Sequence, residues 1–166
     1  MAATPERARE IVQQILYVTV ASVSSEGKPW NSPVFSSFDD AGNFYWVSAP
    51  ESQHSRNVEA NGNAFLVIYD STVPWGTGEG VYIEAQVDVL TDLHDIAEAR
   101  RHMSLRVGKP LDEHPERFLD GGIRRAYRAT PLRVWMNDDD TDEHGNYVRD
   151  TRVELPLAAL HGMVRW

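Results

Sequence analysis

The sequence of 166 residues contains no cysteine. Disulfides, thiolate nucleophiles and cysteine-based zinc or iron–sulfur sites are therefore excluded. The chain also lacks a Gly-x-Ser-x-Gly elbow, a His-Glu-x-x-His pair and a Gly-rich loop that leads into Lys-Ser or Lys-Thr. It therefore carries none of the sequence motifs by which the common hydrolases, metalloproteases and P-loop enzymes are recognised.

Positive charge is scarce relative to negative charge. The chain has 16 Lys and Arg residues against 25 Asp and Glu residues, for a net charge of −9. This balance argues against nonspecific binding to nucleic acid or to an anionic membrane. No apolar run approaches the roughly 20 residues that are needed to cross a bilayer, and the first residues lack the basic and then apolar pattern of an export signal. We expect a cytoplasmic protein without nucleic-acid or membrane partners.

Two groups of residues resemble metal ligands but lack the required spacing. The acidic run at residues 138–143 resembles the start of a calcium loop, yet Thr151 stands where the bidentate glutamate is required. His94 and His102 are eight residues apart on a predicted helix, and no third ligand accompanies them. We therefore predict no metal site and interpret the acidic run as the solvated tip of a hairpin.

Apolar periodicity predicts a β-rich chain with three helices. The clearest alternation spans residues 81–89, where every second residue is apolar. Further strands are predicted at residues 17–23, 29–38, 44–48, 64–69, 132–136 and 147–155. The predicted helices begin after Thr4, Ser52 and Asp92 and cover about residues 5–16, 53–61 and 92–107.

These elements predict a mainly β fold of the α+β class, a small closed or half-closed antiparallel barrel of six to seven strands. One domain is expected over residues 1–166, with the barrel at about 17–136 and a C-terminal hairpin and tail at 137–166. Pro33 cannot donate a ladder hydrogen bond, so it indicates a bulge or an edge strand. Residues 44–47 are apolar on both faces and need covering twice, by the barrel core and by a helix or a second subunit.

The turn that leads into the second helix has the composition of an anion site. Ser52 as N-cap leaves the next three amides at the positive end of the helix dipole. With the hydroxyls of Ser52 and Ser55 and the cation of Arg56, this end is able to hold a phosphate. His54 lies in the same turn and would donate to a phosphate as imidazolium. The alternative is an ordinary capped surface helix with a plain surface histidine, and these residues alone leave both interpretations open.

Five short motifs follow one another around this turn: Pro33-Val34 in a strand, Asp-Asp-x-Gly at 39–42, Phe-Tyr-Trp-Val-Ser at 44–48, Ser-x-His-x-x-Asn-Val at 52–58 and Asn-x-Asn-Ala-Phe-Leu-Val at 61–67. Their order resembles that of the pyridoxamine 5′-phosphate oxidase-like proteins, which are flavin-binding split β-barrels. A weaker similarity continues through residues 81–85 and 128–135. The resemblance covers about residues 11–136.

The resemblance implies a six- to seven-stranded antiparallel split β-barrel that forms a homodimer, with two flavin sites at the subunit interface. It implies FMN as the cofactor and a flavin-dependent oxidoreductase acting on an unidentified small molecule. The second strand and two third-strand residues would lie along the isoalloxazine ring, and the helix start would hold the phosphate. The cofactor-binding residues so implied are Asn31, Ser32, Pro33, Val34, Trp46, Val47, Ser52, Gln53, His54, Ser55, Arg56 and Asn57. No catalytic side chain is assigned, because the cofactor would carry the electrons.

The chain departs from the family pattern at its cations. The family's Arg-x-Val-x-x-Lys strand corresponds to Asn31 through Ser36, and its Ser-Arg-Lys phosphate grip corresponds to Ser52 through His54. Arg56 corresponds to the arginine of a Lys-x-Arg-Asn variant of the family's phosphate-binding motif, and it remains as the one cation there. Each lost cation removes a charge-assisted contact worth about 1.5–3 kcal/mol. Oxidation of the vitamin itself is therefore not expected, and the alternatives are a deazaflavin-dependent reductase and a non-catalytic ligand-binding barrel.

Tryptophan is frequent for a chain of this length, with five residues. Trp30, Trp46, Trp75 and Trp135 are candidates to stack on the ring or to wall its pocket. The alternative for each of them is a place in the core or at a dimer interface.

Overall fold

The computed structural model describes residues 3–111 and 114–164, and its main feature is one antiparallel sheet of eight strands. The strands are β1 (Tyr17–Val23), β2 (Pro29–Phe35), β3 (Ser37–Phe38), β4 (Phe44–Ser48), β5 (Asn63–Tyr69), β6 (Gly80–Val89), β7 (Arg125–Thr141) and β8 (Tyr147–Leu155). The helices are α1 (Pro5–Gln14), α2 (Gln53–Asn61) and α3 (Leu93–Val107), with short 3-10 helices at Pro115–Phe118 and Leu157–Leu160. None of the described helices is long and apolar enough to span a membrane.

The strand order shows an open, split barrel. Hydrogen bonds order the strands β2-β1-β5-β6-β7-β4-β3, and β8 pairs with β7 outside this path. Strand β7 is shared, because its residues 125–129 pair with β4 while residues 134–141 pair with β8. The order ends at β2 on one side and at β3 on the other, so the sheet does not close. The predicted mainly β, split-barrel fold is confirmed, with eight strands where six to seven were counted from the sequence.

The stretch 29–38 is two strands rather than the single predicted one. Strand β2 pairs with β1, and β3 pairs with β4 at the far end of the strand order. The chain crosses between them at Ser36, which is buried and whose hydroxyl donates to the Ser37 carbonyl at 3.1 Å. Pro33 lies opposite Thr19 on the outermost strand in an unbroken register. The edge position, rather than a bulge, therefore accommodates the proline.

Strand β7 has 17 residues and is far longer than the five, 132–136, that were predicted for it. Its pairing with β6 contains a bulge, because Glu84 pairs with Arg133 while Ala85 pairs with Pro131, which leaves Leu132 as an extra residue. Proline and the bulge together interrupt the alternation on which strand prediction relies. Residues 125–130 were therefore not predicted to belong to the same strand.

Two apolar clusters hold the sheet together. The main core fills the inner face of the barrel and includes residues of α1 such as Ile11 and Val12, together with Trp46 of β4. A second cluster lies between β4, β7 and α3 and includes Tyr45, Ile96 and the 3-10 residue Phe118. Strand β4 is thus buried on both faces, as the sequence required, and the element that covers its second face is helix α3.

The helix ends follow the predicted caps. Thr4 accepts a hydrogen bond from the Arg7 amide at 3.2 Å, and Asp92 accepts from the His94 and Asp95 amides. Gly62 ends α2 in the left-handed region at φ +70°, and a Cβ there would approach the Gln86 side chain to 2.2 Å. This glycine fixes where α2 stops and β5 begins.

Candidate functional site

The first turn of α2 is open at its amide end. Ser52 occupies the N-cap position with extended backbone, as predicted, but its side chain does not accept from the helix amides. Ser52 Oγ instead donates to Ser55 Oγ at 2.9 Å and lies 3.3 Å from His54 Nε2. The amides of residues 53–55 therefore lack a side-chain cap. The positive end of the helix dipole is left able to bind an anion.

Arg56 places one cation at this helix start. Its Nη1 donates to the Glu51 carbonyl, and its Nη2 donates to Gln53 Oε1 at 2.9 Å. The side chain is exposed and folds back over the first turn. Arg56 consequently lies beside the uncapped amides, where a phosphate at the helix start would meet both.

The buried side chain of His54 connects α2 to the end of β4 through a hydrogen bond. It is buried, and its Nε2 lies 2.8 Å from Ser48 Oγ at the end of β4. Burial lowers the pKa of His54 below its ordinary value of 6.5, so the neutral imidazole is favoured at neutral pH. The ring ties β4 to α2 in the structure, and the predicted contact of His54 with a phosphate stays a prediction.

Asn57 docks α2 on the sheet. Its Nδ2 donates to Ser22 Oγ of β1 at 3.0 Å, and its Oδ1 accepts from Gln53 Nε2 at 2.8 Å. Asn57 and Ser22 are both buried. The side chain of Asn57, which was predicted to bind the cofactor, thus holds α2 against β1. Ser55 of the same helix is also buried.

Two cavities share residues of the β1–β2 hairpin: the smaller adjoins the start of α2, and the larger adjoins its last residue, Asn61. The smaller has a volume of about 380 Å³ and lies between Gln53 of α2 and the β1–β2 turn, which contributes Lys28. The larger, here called the sheet cleft, has a volume of about 760 Å³. Pro29 and Trp30 line both, and the two cavities, together called the groove, are each of a size typical for small-molecule sites. The sheet cleft is lined by Ala21, Ser22, Val23, Pro29, Trp30, Asn31, Asn61, Asn63, Ala64, Phe65 and Glu84.

Strand alternation separates the four predicted residues of β2. Asn31 and Pro33 are exposed on the outer face, and Asn31 lines the sheet cleft. Ser32 and Val34 lie on the opposite face, where Ser32 Oγ accepts from Trp30 Nε1 at 2.9 Å and Val34 is buried in the main core. The four side chains therefore do not contact one ring together.

The prediction for Trp46 is corrected. Its side chain has 0% exposed surface and stacks on Tyr127 with the ring centroids 5.5 Å apart and the planes 10° apart. It lies in the core and cannot contact a cofactor. Val47 is partly buried and packs against the second cluster under α3. Of the four candidate tryptophans, Trp30 is the one that lines the groove beside α2, and Trp75 is fully exposed in a loop.

Several groove residues were not singled out from the sequence, notably Lys28, Phe65 and Glu84. Phe65 pairs with Ala21 of β1 on one side and with Glu84 of β6 on the other. Alternation within each strand indicated which residues share a face, but only the register across three strands brings these side chains to one place. Within residues 3–111 and 114–164, no group of three or more His, Asp or Glu residues is arranged to hold a metal ion.

The open eight-stranded antiparallel sheet, its flanking helices and the uncapped helix start beside a groove define a protein of the split β-barrel class. The sequence profile described as pyridoxamine 5′-phosphate oxidase matches residues 4–137. This chain belongs to that family. No curated protein matches it in sequence.

Solved structures with the same fold differ in what they are named for. A heme binding protein from Mycobacterium smegmatis is 19% identical with a TM-score of 0.68, covering 95% of this chain and 60% of its own. An F420 reductase is 20% identical with a TM-score of 0.58, covering 79% of this chain and 98% of its own. The heme storage protein HutZ from Vibrio cholerae is 17% identical with a TM-score of 0.55, covering 79% of this chain and 91% of its own. At these identities the likeness shows the shared fold alone.

Proposed function

We propose that this protein is a flavin-dependent oxidoreductase that binds FMN, with the phosphate at the start of α2, and that acts on a small molecule. The observation that carries the proposal is the open helix start, where the uncapped amides lie beside the exposed Arg56 and Gln53 lines the smaller cavity. Membership of the pyridoxamine 5′-phosphate oxidase family supports flavin chemistry at this place. The missing capping bond of Ser52 leaves the amides free to receive an anion.

The residues present fit the phosphate end of FMN and offer aromatic surface for the rest. A second cation, Lys28, lines the small cavity that Gln53 shares, where it is ion-paired with Glu26 at 2.7 Å. Phe65 presents ring surface in the sheet cleft, and Trp30, which is 50% exposed, lies on the other face of the sheet by the smaller cavity. When bound, FMN supplies the electron transfer that no side chain here can perform. The chain's own residues bind the phosphate, orient the ligand and limit its contact with water.

A second copy of the chain is proposed to complete the site. The outer face of β1, β2 and β5 carries exposed apolar side chains, including Tyr17, Val23 and Tyr69, and no described helix packs over them. Contiguous exposed apolar surface of this kind marks an interaction face. A homodimer formed through it would cover the sheet cleft, as the family resemblance implies.

The groove favours a flavin-type ligand over heme, although two similar structures are named for heme. Heme iron takes a protein ligand such as His, Cys, Met or Tyr. None of these residue types lines the sheet cleft, and His54 is buried against Ser48. A deazaflavin is the second candidate, because an F420 reductase shares the fold and the helix start retains a single arginine in place of the family's cationic grip.

The absorption spectrum of the purified protein, before and after addition of FMN, tests the cofactor. We expect flavin bands and an increase in the melting temperature with FMN. Binding of F420 or of hemin without binding of FMN would contradict the proposal. Reduction of the bound flavin by a nicotinamide donor, coupled to a dye, then separates an oxidoreductase from a protein that only holds the ligand.

Removal of the exposed cation tests where the phosphate lies. Arg56→Ala should weaken FMN binding by about tenfold, because one charge-assisted contact is lost at an exposed position. Riboflavin, which has no phosphate, should bind both proteins equally in the same fluorescence titration. Arg149→Ala on β8 is the control, since that exposed arginine pairs with Asp140 far from α2. Equal loss of FMN and riboflavin affinity in Arg56→Ala would place the phosphate elsewhere.

A further inference from the structure

The loop between β5 and β6 presents a tryptophan to solvent. Trp75 is 100% exposed. It lies in a tight turn, because the Thr77 amide donates to the Pro74 carbonyl at 3.1 Å and Gly76 adopts φ +80°, the conformation that a type II turn requires at its third residue. An indole ring that projects from such a turn is typical of an anchor that another molecule covers, since Trp is enriched among the residues that dominate interfaces.

The base of this loop is fixed to the body of the protein. Glu79 accepts from Nε and Nη2 of Arg7 in α1, at 2.9 and 2.6 Å. The Asn137 side chain of β7 donates to the Gly78 carbonyl at 3.0 Å and accepts from the Gly80 amide at 2.6 Å. The turn that carries the tryptophan therefore projects from a base that a helix and a strand both hold.

A cavity of about 310 Å³, here called the loop-side cavity, lies beside the base of the loop. Val67, Tyr69 and Tyr82 line it, and Val67 pairs with Tyr82 across β5 and β6. The next outward-facing residues of these two strands, Phe65 and Glu84, line the sheet cleft. The volume is at the lower end of the range in which small molecules bind, so it is sufficient for an indole ring. The loop-side cavity and the sheet cleft thus lie side by side on the outer face.

The loop-side cavity is flanked by one charge of each sign. Asp70 lines it and accepts hydrogen bonds from the amide and the hydroxyl of Thr72. Arg152 of β8 is exposed and lies over the Tyr82 ring at 4.0 Å. Within residues 3–111 and 114–164, neither Asp70 nor Arg152 has an ion pair. In a two-fold dimer every contact occurs twice, so the aspartate of one copy is able to meet the arginine of the other on both sides of the axis.

We propose that Trp75 of each copy inserts into the loop-side cavity of a second copy and that this reciprocal contact forms the homodimer. The indole lies against Tyr69 and Tyr82 of the second copy, and Asp70 pairs with Arg152 across the two-fold axis. One chain carries the ring, the cavity and both charges, which is the self-complementarity that a two-fold interface needs. The assignment rests on the homodimer of the proposed function, because it names the contact that forms it. Since the sheet cleft adjoins the cavity, the same contact covers the cleft.

Single-cysteine variants test the contact, because the chain contains no cysteine of its own. Trp75→Cys and Tyr69→Cys chains with tags of different length are mixed and treated with a short bismaleimide. We expect a cross-linked product that joins the two kinds of chain, since the Tyr69→Cys chain retains its own tryptophan and one of the two contacts stays intact. Ser25→Cys replaces Trp75→Cys in the control, because Ser25 is exposed in the β1–β2 turn, away from the end of β5 that carries Tyr69. Equal amounts of mixed product in both experiments would overturn the proposal.

The dissociation constant of the dimer, measured by analytical ultracentrifugation, tests the ring. Trp75→Ala should raise it by at least about thirtyfold, the effect of truncating a central anchor. Trp30→Ala is the matched control, since that tryptophan is half exposed on the other face of the sheet and should leave the constant unchanged.

Exchange of the two charges tests the pairing. Asp70→Arg should weaken the dimer, because two arginines then meet across the axis, and addition of Arg152→Asp should restore it with the signs reversed. A double variant that dimerises no better than Asp70→Arg alone would contradict the pairing.

Failure of this contact and failure of the proposed function give different results. A dimer that both Trp75→Ala and Asp70→Arg leave intact would overturn the contact and leave the homodimer standing. Single subunits at all concentrations would overturn both the contact and the homodimer. A dimer that cross-links as expected but does not bind FMN would overturn the flavin assignment and leave the contact standing.

Discussion

Two tyrosines show how differently the chain treats two parts of the outer sheet surface. Tyr45 of β4 is 8% exposed because α3 packs over it, and His102 of that helix stacks on its ring with centroids 5.8 Å apart. Tyr17 of β1 is 59% exposed, and its ring neighbour is Phe35 of the adjacent strand at 6.1 Å. Both strands carry outward aromatic residues. The difference lies in whether the chain provides a covering element.

The polar groups follow the same division. Under α3 the Tyr45 hydroxyl donates to Asp39 Oδ2 at 2.8 Å, and burial raises the pKa of Tyr45. On the uncovered part, the carboxylate of Glu84 is exposed in the sheet cleft, and Arg56 is exposed at the start of α2. These polar groups are buried or half-buried where α3 covers the sheet, and they are exposed where no described helix does.

The largest expected effect comes from removing a ring from the covered part. Trp46→Ala should cost about 3–5 kcal/mol in the free energy of unfolding, because it opens a cavity in the main core. Trp30→Ala, on the uncovered part, should cost about 1 kcal/mol or less, since the ring is half exposed. Urea unfolding of both variants measures the difference. Similar losses would show that Trp30 is held as firmly as a core residue.

The next test introduces a charge on the uncovered face. Tyr17→Asp should convert the proposed homodimer to single subunits, because an unpaired charge would be buried at the interface. The mass in solution, measured by light scattering over a range of concentrations, should fall by half while the circular dichroism spectrum is retained. Ile123→Asp is the control, since Ile123 is 87% exposed and lies in the loop before β7. A single-subunit mass for the unaltered protein would contradict the dimer.

Local signals in the sequence were sufficient for much of the fold. Alternation marked β1 and β6, and the caps at Thr4 and Gly62 marked the ends of helices, because these features depend on neighbours along the chain. The crossing at Ser36 and the full length of β7 were missed. Both depend on which strand lies alongside, and the proline and bulge at residues 131–132 conceal the alternation that would have revealed the strand.

The site was predictable to a similar extent. The helix start was indicated by Ser52 and Arg56, since capping and the dipole are local properties. For Trp46 the sequence left a ring contact and a place in the core both open, because residues 44–47 are apolar on both faces and their composition does not say which face meets the core. Glu84 gave no signal at all, since its place beside Phe65 depends on the register between β5 and β6.

The smallest expected effect is a pH dependence that compares two buried histidines. Burial lowers the pKa of His102 under α3 and of His54 at the start of α2 below the ordinary 6.5. Arg101 lowers the pKa of His102 further, while Asp39 and Glu98 oppose this. The unfolded chain therefore binds more protons than the native chain below about pH 6.5, so stability should fall as the pH drops from 7 to 5.

His102→Gln and His54→Gln should each flatten that decline in urea unfolding at pH 7, 6 and 5, whereas the exposed control His144→Gln should leave it unchanged. Because α3 belongs to the same chain, the His102 effect should not depend on protein concentration. His54 lies beside the groove that a second copy is proposed to cover, so its effect should grow when subunits associate and exclude water more completely. A decline that His144→Gln alone reduces would show that neither buried ring is responsible.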